Sequence, residues 1–249
     1  MMEPYNKYNA FARIYNDYWG PHYGRNALSI LKATLGDLPE RSCVILDLCC
    51  GSGHVSASLI ENGYEVVGID GSQPLLDYAR KNAPLALFHH ADARDFHFQR
   101  QFDGAICLND SLNHILTEQD LRSVFLNVFR VLRSGGWFLF DLNLERKYKA
   151  WQLSRIIAEE DLVCAIQADA DLSKKLAFFR AIVFERCQNN TWKRQDTDLQ
   201  QTWYSIEQIE ELLTACGFIN LHCLTKEGNQ LDPQQADRAY FLSFKPREN

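Results

Sequence analysis

Nothing in this chain is apolar over the roughly 18 to 20 consecutive residues that a bilayer span requires, so no membrane partner is expected. It also lacks any long run of lysine and arginine. Its 26 basic residues face 32 acidic ones, leaving a net charge of −6 at neutral pH. Broad nucleic-acid binding rests on phosphate neutralisation and is not expected from that balance. No C-x-x-C pair occurs and no Cys/His spacing matches a zinc site, so no metal is expected. Internal repeats and low-complexity tracts are absent as well. The first twenty residues are rich in Tyr and Asn with charges interspersed, unlike a signal peptide.

What is present is a chain of 249 residues, a length that suggests between one and two domains. Its eight cysteines, at positions 43, 49, 50, 107, 164, 187, 216 and 223, fall mostly inside apolar runs. That placement reads as reduced, buried thiols in a cytoplasmic protein.

Apolar spacing at Tyr8, Phe11, Ile14, Tyr15 and Tyr18 predicts a leading helix, continued by Leu28, Ile30, Leu31 and Leu35 beyond a break at Gly20-Pro21. Strands and helices then alternate. Strands are predicted at 43–48, 65–69, 85–89, 102–108 and 137–142. Helices are predicted at 54–62, ended by Gly63, at 73–82 with Ser72 as cap, and at 118–132 with Leu121, Val124, Phe125, Val128, Phe129 and Leu132 on one face. Strands of this kind are apolar throughout rather than on one side, which implies a parallel sheet covered on both faces. Stricter alternation at 162–168, 177–186 and 191–204, with a hairpin turn at Gln188-Asn189-Asn190, predicts an antiparallel insertion. A helix at 205–216 follows, capped by Ser205 with Gln208 and stopped by Gly217, then strands at 219–225 and 239–244. The expected fold is α/β. It is a Rossmann-like, mostly parallel seven-stranded sheet with the last strand antiparallel, helices on both faces and a small antiparallel β insertion. The expected division is a helical lid over 1–40, a core over 41–150 and 205–249, and the insertion over 151–204.

The stretch Val44-Ile45-Leu46-Asp47-Leu48-Cys49-Cys50-Gly51-Ser52-Gly53 carries the chemistry. A buried strand ends in an acid, a glycine-containing turn follows, and a helix begins. Glycine lets backbone approach a ligand closely, and the helix start offers free N–H donors. The next strand also ends in an acid, Asp70, 17 positions beyond Gly53, where it is placed to accept two hydrogen bonds from a ribose diol. Asp92 follows the third strand and is placed to accept from an adenine amino group. Each aspartate alone reads equally well as a turn or cap residue; three at successive strand ends are far more specific.

These residues resemble the class I S-adenosylmethionine-dependent methyltransferases. Asp47 to Gly53 resembles the family's first motif, Asp70 its ribose-binding acid and Asp92-Ala93 its adenine-side motif. Phe102-Asp103 and Leu132-Arg133-Ser134-Gly135-Gly136 resemble further landmarks. Cys49 departs from the motif, standing where the first glycine would be, and a cysteine there is expected at negative φ. The leading Tyr8, Phe11, Ala12 and Tyr15, the Asn109–His114 segment and Phe140-Asp141-Leu142-Asn143 look like the small-molecule branch, with its glycine and sugar-amine N-methyltransferases.

The resemblance implies S-adenosyl-L-methionine as cofactor. Asp47 and the Gly51–Gly53 backbone would hold its methionine end, Asp70 its ribose, Asp92 and Ala93 its adenine. Leu75 would pack on the adenosine and Tyr15 would reach the carboxylate end. Cys49, Gly71 and Asn109 complete the implied cofactor set. The expected reaction is in-line transfer to a nitrogen or oxygen of a small molecule, by a monomer or homodimer.

His114 is the candidate base, because histidine titrates near neutrality; orienting the substrate or capping a helix is the alternative. Asn113 is the second catalytic candidate, with Asn143 beside it as a substrate contact, against local turn bonding for both. Arg180 is a candidate for a substrate carboxylate or a solvated strand residue. Trp203 and Tyr204 read as lid or core. The insertion and the loop 226–238 are expected to border the pocket and decide the substrate. No Asn-Pro-Pro-Tyr and no Pro-Cys occurs, which disfavours base or amide methylation of that kind and cytosine C5 chemistry.

Two other readings stay open. Gly51-x-Gly53-x-x-Ser56 is near a dinucleotide fingerprint, so an NAD(P)-dependent oxidoreductase is the first, although the third glycine is a serine. A non-catalytic adenosyl-binding module is the second.

Overall fold

The computed structural model describes residues 3–247; positions 1, 2, 248 and 249 of the expected lid and core spans lie outside the described residues. Seven strands form the main sheet: β1 (Val44–Leu48), β2 (Glu65–Asp70), β3 (Leu87–His90), β4 (Phe102–Cys107), β5 (Leu132–Asn143), β10 (Ile219–Leu224) and β11 (Arg238–Phe244), in the order β10-β11-β5-β4-β1-β2-β3. β11 runs antiparallel to both neighbours, and the pairings among β1 to β5 are parallel. All five residues of β1 are buried, the pattern of a central parallel strand covered on both faces.

The helices form where the apolar spacing predicts. Thr117 accepts the Asp120 N–H at 3.1 Å to start Glu118–Val131, which buries Leu121, Val124, Phe125, Val128 and Val131. Ser205 and Gln208 form a reciprocal capping box at 3.2 and 2.9 Å. Ser72 occupies the N-cap position of Gln73–Asn82 without a capping bond; its hydroxyl donates to Asn9 Oδ1 instead, at 2.9 Å.

The insertion holds four strands, β6 (Leu153–Ala158), β7 (Leu162–Asp171), β8 (Leu176–Arg186) and β9 (Trp192–Gln201), in an antiparallel meander. Three were expected. β6 escapes sequence reading because nearly all its residues are exposed and it carries no alternating apolar face. The turn at 188–190 forms as expected, with Asn190 at φ 60 and Cys187 N–H donating to Thr191 O at 2.7 Å.

The leading segment runs through a 3₁₀ stretch, Glu3–Phe11, and a π-helical turn, Tyr15–Trp19, into the helix Gly20–Leu35. Its Phe11 and Ile14 sit in a core with Ile157, Leu162, Ile166 and Val183 of the inserted sheet. Burying such a side chain stabilises by about 1.5–3 kcal/mol. Polar ties hold the same segment on both sides. Arg13 binds Asp161 at 2.9 Å, Tyr18 donates to Glu159 at 2.6 Å, and Asn82 donates to Asn16 Oδ1 at 2.8 Å. The segment therefore bridges the inserted sheet and the carboxyl edge of the main sheet. Among the described residues no helix is long and apolar enough to cross a membrane.

Candidate active site

The strand order reverses at β1, between β4 and β2, and a crevice outside the carboxyl ends of those strands is where open α/β sheets bind ligands. Asp47 lies near the end of β1. Cys49, Gly51 and Gly53 follow at φ 58, 53 and 75. The expectation of negative φ at Cys49 is thus corrected. The left-handed region costs a non-glycine residue about 1–2 kcal/mol, and the motif's turn holds Cys49 there regardless. A Cβ on Gly51 would meet the Tyr15 ring at 3.0 Å, and one on Gly53 would meet Ala79 at 2.8 Å. Gly51 therefore keeps backbone open toward the crevice, whereas Gly53 permits close packing on the helix Gln73–Asn82.

Asp70 ends β2 and ties this turn to the next. Its Oδ2 accepts the Gly51 N–H at 2.9 Å and its Oδ1 accepts the Ser72 N–H at 2.8 Å. Burial raises its pKa against those bonds, and each oxygen keeps a lone pair for a further donor. Asp47 accepts the Ser56 hydroxyl at 2.5 Å. Burial is the main cause that pushes its carboxyl up to about 7.

A second constellation forms where β4 and β5 end and the antiparallel β11 begins. Asn109 and Asp110 are left-handed, at φ 69 and 51. Their N–H groups donate to Asp141 at 2.6 and 3.0 Å. Arg238 donates from Nη1 to Asp141 at 2.9 Å, from Nε to Asn143 Oδ1 at 3.1 Å, and from Nη2 to Asp110. Burial lifts Asp141 to about 6 even with Arg238 opposing it. Burial works against the charge on Arg238, but the two carboxylates outweigh it and raise its pKa. Loop 226–238 was expected to border the pocket; Arg238 itself carries no local signal, because its partners lie on strands distant in sequence.

His114 is bonded at both nitrogens. Nδ1 lies 2.9 Å from the Gln200 carbonyl and Nε2 lies 2.9 Å from Gln201 Nε2. Gln201 Nε2 also donates to Asp110 Oδ2 at 2.8 Å, and its Oε1 accepts the Tyr148 hydroxyl at 3.0 Å. A flipped amide would set oxygen against the Asp110 carboxylate, so its orientation is fixed. The carbonyl then demands a proton on Nδ1, and Nε2 carries the lone pair. Burial lowers the His114 pKa, consistent with a neutral ring.

Asn113 corrects the sequence reading. It is fully buried, and its amide donates to Asn143 O at 3.1 Å and Thr202 O at 2.8 Å while accepting the Asn143 N–H at 2.9 Å. It pins β5 to the insertion and does not line the cavity.

One cavity of about 680 Å³ gathers most of the expected residues. Tyr15, Cys49, Gly51, Asp70, Gly71, Leu75, Ala93, Asn109 and His114 all line it. Asp47 lines a small adjoining pocket with Tyr15, Tyr23, Cys49 and Asn109. Gly53 and Asp92 line neither. Asp92 accepts from the Arg94 guanidinium at 2.7 Å and from the Arg94 N–H at 2.8 Å, and Arg94 is the residue that reaches the cavity. The far half of the cavity is walled by Tyr8, Phe11, Trp19, Asn143, Lys147, Trp151, Phe179, Gln201 and Arg238. Arg180 is half-exposed beside Asp196 and Asp198, away from the cavity. Trp203 stacks on Tyr148 at 4.8 Å, and Tyr204 donates to Ile115 O at 2.5 Å; both are core residues.

Comparison with known proteins gives the family. A family described as "Methyltransferase domain" matches residues 45–136. A Bacillus subtilis (strain 168) protein named "Putative methyltransferase YqeM" is 30% identical over 246 residues, covering 96% of this chain and 98% of its own. A glycine/sarcosine N-methyltransferase from Aphanothece halophytica is 33% identical over 117 residues, 43% of this chain and 44% of that one. An S-adenosylmethionine-dependent methyltransferase from Clostridium acetobutylicum ATCC 824 has the same fold, with a TM-score of 0.76 at 22% identity over 96% of this chain and 99% of that one.

Proposed function

The chain belongs to the S-adenosylmethionine-dependent methyltransferases, and from that premise we propose that it methylates a nitrogen or oxygen of a small molecule held in the far half of the cavity. The observation that carries this reading is the single continuous cavity. It runs from the strand-end carboxylate Asp70 to the wall of His114, Asn143 and Arg238. When bound, the cofactor supplies a methyl group activated by a sulfonium.

The residues present fit that cofactor. Asp70 is buried, already holds two N–H groups and has room for two hydroxyl donors of a ribose. Gly51 leaves backbone bare where a Cβ would crowd Tyr15. Asp47, pushed up to about 7 by burial, is suited to an ammonium partner. Leu75, Ala93 and Arg94 flank the adenine position, with Asp92 holding Arg94 in place. Asn109 and Gly71 complete the rim.

The rest of the work is positioning and water exclusion. Tyr8, Phe11 and Tyr15 of the leading segment cover the cavity. His114 faces it as a neutral ring, with Nε2 as the atom that can hold an acceptor's proton once the acceptor displaces the Gln201 amide. The free cysteines, four of them buried, support a cytoplasmic setting. A panel of small amines and alcohols incubated with the cofactor, with S-adenosylhomocysteine release as readout, tests the reading. Acceptor-dependent release is expected; cofactor binding with no turnover on any member would favour a non-catalytic module.

A further inference from the structure

Aromatic rings wall much of the far half of the cavity. Phe179 of β8 and Leu199 of β9 stand directly opposite each other across the two strands, and both line it. The leading segment adds Phe11 and Trp19, and Trp151 follows from the helix Glu145–Lys149. The Phe11 ring lies 5.2 Å from the Trp19 ring at 52° and 5.2 Å from the Phe179 ring at 74°. Rings tilted in this way offer a further ring both faces and edges, the contacts that aromatic groups prefer. The Trp151 indole N–H donates to Phe178 O at 3.4 Å, so the polar end of that side chain is engaged as well.

The polar side chains of the same half are committed to one another. Arg238 is held by Asp110, Asp141 and Asn143 Oδ1. Gln201 directs its amide protons to Asp110 and His114 and accepts the Tyr148 hydroxyl. Asn143 Nδ2 is sealed from the cavity and lies against the Tyr148 oxygen. Lys7 is exposed and Lys147 half-exposed, and such side chains keep their ammonium in water while their stems line apolar surface. A sugar would bring many hydroxyl groups, and glycine a pair of charges, with few vacant partners to replace their hydration. An apolar ring gains by leaving water for this wall.

We propose that the methyl acceptor is an aromatic molecule, a phenol or an aryl amine, whose ring packs against Phe11, Trp19 and Phe179 and whose hydroxyl or amino group points at His114. This rests on the methyltransferase reading of the same cavity. One polar group is all such an acceptor has to satisfy, and His114 Nε2 is the atom that receives its proton as the methyl–sulfur bond breaks and the new bond to oxygen or nitrogen forms. The inserted sheet then selects the acceptor through Phe179 and Leu199, while the main sheet holds the cofactor.

The test is calorimetry on protein loaded with S-adenosylhomocysteine, titrated with 2-naphthol, 2-naphthylamine, the saturated analogue 2-decalol, glucosamine and glycine. One of the two naphthalenes should bind about tenfold or more tightly than glucosamine and glycine, and about threefold or more tightly than 2-decalol. The tighter of the two shows which nucleophile fits. Phe179→Ala should weaken that ligand about fivefold or more and leave the affinity for S-adenosylhomocysteine where it was. Trp19→Leu should do the same, and it serves if Phe179→Ala fails to fold. Equal or tighter binding of glucosamine, glycine or 2-decalol overturns the proposal. So does the absence of naphthalene binding at millimolar concentration, or an unaltered naphthalene affinity in the folded variants. Failure of S-adenosylhomocysteine to bind would instead count against the underlying reading.

Discussion

Gln201 Nε2 stands 2.9 Å from Nε2 of His114, so an amide proton already occupies the lone pair that a general base would use. The other proton of that amide belongs to Asp110. Nitrogen NMR of the imidazole should show the neutral Nδ1–H tautomer at neutral pH, with a pKa below the ordinary ~6.5. Replacing Gln201 with Leu removes the competing donor and leaves the Asp110 carboxylate beside the ring. The His114 pKa should then rise. An Nε2–H tautomer in the native protein would contradict the bonding described here.

Asn113 makes three buried hydrogen bonds to backbone groups. Asn113→Ala leaves their partners unsatisfied, at about 1–3 kcal/mol for each group left unpaired. The melting temperature should fall clearly. If Asn113→Ala instead kept its melting temperature and lost turnover alone, a direct catalytic role would be restored.

Asp47 gives the site a pH dependence. Burial raises its carboxyl to about 7, and an ammonium partner needs the ionised form. Below that value, binding must first expel a proton. Affinity for S-adenosylhomocysteine should therefore fall as pH drops from 8 to 6, approaching tenfold per unit at the acid end, and level off above. In Asp47→Asn the affinity should be weaker and flat with pH, as calorimetry across that range would show. A native profile without this slope would detach Asp47 from the ammonium.

These residues also show what a sequence can and cannot disclose. Asp47, Asp70 and the glycines between them are legible because strand ends, turns and helix starts are local events with local residue requirements. Their meeting at one edge follows from parallel strand pairing. Asn113 was misread because its partners, Asn143 and Thr202, lie 30 and 89 positions away, and no short-range pattern distinguishes a buried bracket from a catalytic amide. Arg238 and Gln201 were missed for the same reason. Each acquires its role only when β11 or β9 reaches the ends of β4 and β5. Cys49 marks the opposite case, where a residue at odds with local backbone preference is carried by the surrounding turn.

Calorimetric titration of S-adenosylhomocysteine into the native chain and into Asp70→Ala tests the central claim most directly. The account predicts one site per chain in the native protein and a loss of about 100-fold or more in Asp70→Ala, because charge-assisted hydrogen bonds of ~1.5–3 kcal/mol each disappear. No binding to the native chain, or an affinity unchanged in Asp70→Ala, would contradict the placement of the cofactor in this cavity.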